Sequence, residues 1–145
     1  MAQMTDILEE IQKTDLSKLK LVFPSFPTKS KNGLFFDHLT YWEETSKFDF
    51  VDVLTYTYKS SLLPRRVVTA FGEPRRSSIQ EVRVCDQLHT KLVIGYKNQK
   101  VSACYIGSTN WSGSGHFNLM LKVDKNLHEI LTCYFEHIWK HAVKI

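Results

Sequence analysis

The chain has 145 residues, 43% hydrophobic and 12% aromatic, with only 4 Pro and 6 Gly. That is one ordinary domain, with enough apolar content to bury a core, and it excludes a disordered or collagen-like chain. Nineteen Lys and Arg against fifteen Asp and Glu leave a net charge of +4, too mild to select a class of partner by itself.

In chain order, Thr5-Asp6 ahead of Ile7, Leu8, Ile11 and Leu16 predicts a short capped amphipathic helix. This N-terminal stretch is acidic, not a basic segment leading into an apolar run, and no apolar run reaches membrane-spanning length. The expectation is a soluble, cytoplasmic protein with no membrane partner. Residues 20–23 read as a short strand ended by Pro24, and 24–32 as a polar, turn-rich loop. Leu34, Phe35, His38, Leu39 and Trp42 predict a helix over 34–45, with Phe36 and Tyr41 adding to an aromatic packing or dimer face.

Residues 48–58 are rich in Phe, Val, Leu, Tyr and Thr and read as a strand buried on at least one face. A short strand over 67–71 is predicted between two Pro-Arg-Arg triplets. Strands over 79–85, 89–96 and 101–106 follow, the last two joined by the polar hairpin 97–100. A final strand over 116–123 and a closing helix over 127–143 complete the chain, the helix carrying Leu127, Ile130, Leu131, Tyr134, Ile138 and Trp139. No internal repeat is visible. Strands interleaved with helices predict an α/β domain spanning 1–145, a mixed β-sheet flanked by helices.

The odd, widely spaced cysteines Cys85, Cys104 and Cys133 form no CxxC pair, so neither a zinc knuckle nor a redox motif is supported. Cys85 and Cys104 lie in apolar runs and read as buried reduced thiols.

The segment that carries chemistry is His89-Thr90-Lys91, then an apolar run and the hairpin, then Gly107-Ser108-Thr109-Asn110. On a strand, period two puts His89 and Lys91 on one face. The hairpin returns the chain alongside, so that an imidazole, an ammonium, a carboxamide and a hydroxyl can converge. That set suits a phosphodiester: the imidazole is a nucleophile at neutral pH, and Lys91, Asn110 and Ser108 can neutralise phosphoryl oxygens. No metal or other cofactor is required.

At these residues the chain resembles the phospholipase D superfamily, in the pattern His-x-Lys, hairpin, Gly-Ser-x-Asn, over about residues 84–123. The resemblance implies a phospholipase D-like fold in which His89 forms a phosphohistidine intermediate, Lys91 and Asn110 hold the phosphate, and Ser108 assists. Two positions depart from the pattern. Where the family often has Asp, seven residues after the histidine, this chain has Tyr96. Where the family commonly shows Asn-x-Glu, it has Asn118-Leu119-Met120, and methionine cannot orient an imidazole by charge; His116 or a carboxylate from elsewhere would have to substitute. The mechanism needs two imidazoles, and family members with one motif copy complete the site by two-fold dimerisation. A homodimer is the resulting expectation.

Arg65, Arg66, Arg75 and Arg76 flank this segment in sequence. From Lys59 through Lys91, both included, there are seven Lys and Arg against three Asp and Glu, a local basic surface suited to nucleic acid or to simple solvation. Tyr105, Trp111 and Phe117 are candidates for base stacking or for the core. His137 and His141, four residues apart, can either chelate a metal or cap the last helix. Two functions from different classes follow. One is a metal-independent phosphodiesterase, most simply an endonuclease acting on DNA or RNA. The other is a degenerate protein of the same fold that binds nucleic acid or inhibits a protein partner.

Overall fold

A computed structural model of the chain describes residues 4–23, 50–56, 79–85, 88–108 and 119–144. The expected loop 24–32, helix 34–45 and strand 67–71 lie outside the described residues. Among those described, helix α1 (Met4–Lys13) leads into β1 (Lys18–Phe23), β2 (Phe50–Tyr56) and β3 (Ile79–Cys85). Then come β4 (Lys91–Lys97), β5 (Lys100–Gly107) and β6 (Met120–Lys122). A 3-10 turn (Lys125–Leu127), helix α2 (His128–His141) and β7 (Val143–Lys144) close the chain. The strands form one mixed sheet in the order β6-β5-β4-β1-β2-β3-β7. β1, β2 and β3 pair in parallel, and every other pairing is antiparallel. The α/β, mixed-sheet class read from the sequence is the one observed.

Helices on both faces explain why the central strands are apolar almost without alternation. Leu19, Leu21, Val22 and Phe23 of β1 are all fully buried, as are Leu92, Val93 and Ile94 of β4. One face, carrying Val22, Leu54, Leu92, Ile94, Tyr96 and Cys104, packs against Phe135 of α2, with Leu131, Ile138 and Trp139 at its border. On the other, α1 buries Ile7 and Ile11, one helical turn apart, and Leu16 covers Gly95 so closely that a Cβ there would sit 2.7 Å from its Cδ1.

Among the described residues three charged side chains are buried, Lys20, Asp52 and Lys91, and Lys20 is paired across to a helix. Lys20 of β1 is 9% exposed and its ammonium forms an ion pair with Glu136 of α2 while lying over the Phe135 and Tyr96 rings at 4.7 and 5.1 Å. Burial acts to lower its pKa, but the hydrogen bond to Glu136, with Tyr96 adding to it, outweighs burial and raises it above 10.5. Since the folded value exceeds the unfolded one, the Lys20 charge stabilises the fold throughout the neutral range, and that contribution is lost as pH rises through the raised value.

Several boundaries differ from those read in sequence. α1 begins at Met4, so Thr5 and Asp6 lie in its first turn and do not precede it. β1 begins two residues early, at Lys18, because it pairs with β2 from Phe50 and with Tyr96 on β4. The closing helix stops at His141, short of Val143. Its last turn is tied to the sheet by Arg83, which donates to the Trp139 carbonyl at 2.8 Å and stacks 4.4 Å over that ring. Val143 and Lys144 are thereby delivered as β7 opposite Val84 and Arg83. The last predicted strand is three residues long where described, Met120–Lys122. Cys104 is buried, its thiol pushed up to about 11 by desolvation; Cys85 is only half-buried, and neither is in a disulfide.

The β4–β5 hairpin turns on Asn98 and Gln99, with φ of 51° and 66°. Lys97 pairs with Lys100, which makes this a two-residue turn with both central residues left-handed. Asparagine tolerates that conformation; glutamine carries a Cβ penalty that glycine lacks. Gln99→Gly is expected to stabilise the fold by about 1 kcal/mol, read as a higher urea midpoint at unchanged slope.

Candidate active site

β4 begins at Lys91, so His89 stands two residues ahead of the strand and not on it, as the sequence had suggested. The alternation nevertheless persists. Leu88 enters the cluster under α2, and the Thr90 hydroxyl meets the Tyr134 hydroxyl of α2 at 2.5 Å. His89 and Lys91 take the other side and come together there, Lys91 Nζ 3.5 Å from His89 Nε2, at the long limit of a hydrogen bond. Their environments differ. His89 is exposed, whereas Lys91 is 6% exposed and desolvation lowers its pKa below 10.5. No carboxylate lies within ion-pair distance of Lys91 among the described residues. It is a buried cation with the imidazole at the edge of hydrogen-bond reach, an arrangement that costs stability and invites an anion.

The second half of the motif arrives through the ladder. Gly107 is the Cα partner of Lys91 across β4–β5 and of Met120 across β5–β6. A Cβ at Gly107 would lie 2.1 Å from the Leu119 carbonyl oxygen and 2.9 Å from Met120 Cα. Glycine here is a requirement of close backbone approach. Ser108 follows directly: its N–H donates to the Leu119 carbonyl at 3.0 Å, and its Oγ accepts from the Leu119 N–H at 3.2 Å. With Oγ held as acceptor, its own proton is free to point outward, and the residue is exposed.

His89, Lys91 and Ser108 are thus the predicted site residues that the described structure brings to one end of the β4–β5 pair. Asn110 lies outside the described residues, as do Arg65, Arg66, Arg75, Arg76, His116, Trp111 and Phe117. Tyr105 is fully buried, so of its two readings core packing holds. Tyr96 sits in the core at the far end of β4, and Met120 is fully buried beneath Gly107. His137 and His141 stand ring to ring at 5.0 Å on α2, but no group of three or more metal-ligating side chains exists among the described residues.

Two contributors escaped the sequence. Tyr134, read there only as an apolar helix position, anchors the residue between His89 and Lys91. Leu119 offers both backbone groups to Ser108. Both contacts are long-range, and no local pattern announces them. No family model matches the chain, and no curated protein matches it significantly.

Because the folded-state pKa of Lys91 lies below its unfolded value, the charged side chain weighs against folding at neutral pH, and that burden lifts as pH rises from the lowered value towards 10.5. Lys91→Met should therefore keep or raise stability at pH 7, by up to ~2 kcal/mol, while removing any anion binding at the site. A fall in melting temperature would show that Lys91 has a structural partner. By contrast, Gly107→Ala is expected to destabilise by ~1–3 kcal/mol, since backbone and not a flexible side chain must give way.

Proposed function

We propose that the chain is a metal-independent phosphodiesterase of phospholipase D-like fold, an endonuclease acting through a phosphohistidine in a homodimer. The observation that carries this is the buried Lys91 ammonium, with no carboxylate in ion-pair distance among the described residues, 3.5 Å from the exposed His89 imidazole, and Ser108 following directly on Gly107, the pairing partner of Lys91. An exposed nucleophile backed by a desolvated cation is suited to attack on a phosphodiester, which arrives with the negative charge that the cation lacks.

In this mechanism a His89 nitrogen attacks phosphorus, a P–N bond forms and the P–O bond to the leaving group breaks. His89 of the second copy gives its proton to the departing oxygen. Water then attacks the phosphohistidine, surrendering a proton to that same second imidazole, and the P–N bond breaks to release the phosphomonoester and restore both rings. Lys91 and Ser108, with Asn110 as the resemblance implies, hold the non-bridging oxygens.

Support for a two-fold assembly comes from α2. Leu127, Ile130 and Tyr134 are 44%, 64% and 37% exposed and recur at one helical face, and Tyr134 is bonded to Thr90 beside His89. An apolar stripe adjoining the site is what a symmetric partner would cover.

One observation favours the binding-only alternative. Met120, in the place of the family's glutamate, is fully buried and gives His89 no carboxylate. An orienting group must then come from elsewhere, or the fold binds nucleic acid or a protein partner without cleaving.

The deciding assay is cleavage of labelled single- and double-stranded DNA and RNA in EDTA. Wild-type cleavage should fall by ~10²-fold or more in His89→Ala, and an acid-labile phosphate adduct should be trapped on the wild type alone. Ile130→Glu should turn a particle of twice 16.9 kDa into a monomer and abolish cleavage. Absence of cleavage on every substrate, with a gel shift retained, moves the protein to the binding class.

A further inference from the structure

We infer that a basic cleft at the hairpin end of the sheet is a second contact for the phosphate backbone of nucleic acid, remote from His89. It rests on nucleic acid being the partner, but not on cleavage.

The cleft exists because β5 outruns its neighbour. β6 pairs only with Tyr105–Gly107; after Val123 N–H reaches the Cys104 carbonyl at 2.8 Å, the chain departs for the 3-10 turn and α2. The exposed beginning of β5 and the departing segment enclose about 450 Å³ between Ser102, Lys122, Lys125 and His128, with Asp124 also at the wall. An adjoining recess of about 320 Å³ adds Lys97 and Lys100. A register shift shapes the floor: Gly95 pairs with Ala103 and Tyr96 with Val101, so Ser102 is bulged out of the ladder and exposed.

Four lysines therefore line the two adjoining recesses, Lys122 and Lys125 the first and Lys97, Lys100 and Lys125 the second, and Asp124 is the carboxylate among the described lining residues. Lys97 and Lys122 have salt-bridge partners, Asp15 at 2.8 Å and Glu10 at 2.9 Å, but all four side chains are solvent-exposed and such pairs contribute little. Lys100 and Lys125 have no ion pair among the described residues. Lys125 and His128 also stand at the start of α2, the end at which a helix disfavours cations, and no side chain caps either turn there. An anion in the recess converts that repulsion into attraction. A groove suits a threading backbone better than a flat lipid surface, which reaches protruding lysines before recessed ones.

β4 separates the cleft from His89 by seven residues, roughly 20 Å. At ~3.4 Å per phosphate along a duplex strand, a bound segment of about six base pairs touches both.

The test uses His89→Ala protein in EDTA, titrated with labelled oligonucleotides over a salt series. Neutralising Lys100 and Lys125 together, as Lys100→Gln with Lys125→Gln, should weaken binding by ~10-fold or more and reduce the slope of log K against log salt by about 2. The charge-matched pair Lys140→Gln with Lys144→Gln, at the opposite end of α2, should leave the slope unchanged. Both lysines of the cleft are exposed, so equal melting temperatures verify folding. Equal slopes for the two pairs overturn the inference, as does a cleft-dependent affinity for phosphatidylserine vesicles but not for oligonucleotides. With His89 intact, hydrolysis of bis(p-nitrophenyl) phosphate, too small to reach the cleft, should be unaffected by the cleft pair. If the unmodified chain hydrolyses no diester, the phosphodiesterase proposal falls while the slope comparison still decides the cleft.

Discussion

The close approach at Gly107 is the constraint on which the candidate site depends. Three strands converge on that residue: Lys91 faces it across β4–β5, Met120 faces it across β5–β6, and the Leu119 carbonyl occupies the space a side chain would need. Because the backbones can come so near, Ser108 is caught between the N–H and the carbonyl of Leu119. A larger residue would separate β6 from β5 and release Ser108. The glycine of Gly-Ser-x-Asn is in this sense a packing residue, and Ser108 inherits its position from it.

Two buried lysines show opposite solutions to one electrostatic problem. Lys20 is buried but paired, its charge satisfied by Glu136 and by aromatic faces, and its pKa rises. Lys91 is buried with no carboxylate in ion-pair distance among the described residues, and its pKa falls. The first ties α2 to the sheet through a contact complete within the chain. The second leaves an attraction unused, which is why the phosphodiester proposal is built on Lys91. Removing a satisfied cation and removing an unsatisfied one act on stability in opposite directions.

Much of this was legible along the chain. Central strands buried on both faces appear as continuous apolar runs, and the 97–100 hairpin announces itself as a polar interruption between two of them. Ile7 and Ile11 mark the buried face of α1 by helical spacing alone. The period-two placement of His89 with Lys91 survived even though β4 starts only at Lys91, because extended backbone keeps its alternation slightly beyond the ladder. Less legible were the ends. Nothing around residues 141–143 stops a helix by composition; Arg83, more than fifty positions away, does so by holding the Trp139 carbonyl.

The sequence by itself determined the mixed α/β class, the central strands and their hairpin, and the approach of His89 to Lys91 with Ser108 at the same end of the β4–β5 pair, because these follow from local periodicity and from one short turn. Tertiary structure alone decided that Lys91 is desolvated while His89 is exposed. It also decided that Tyr134 secures Thr90, that Glu136 rather than any neighbour in sequence satisfies Lys20, and that Lys97, Lys100, Lys122 and Lys125 line two adjoining recesses. Burial and long-range pairing depend on which surfaces meet after the sheet has formed, and a linear pattern carries no record of distance in space.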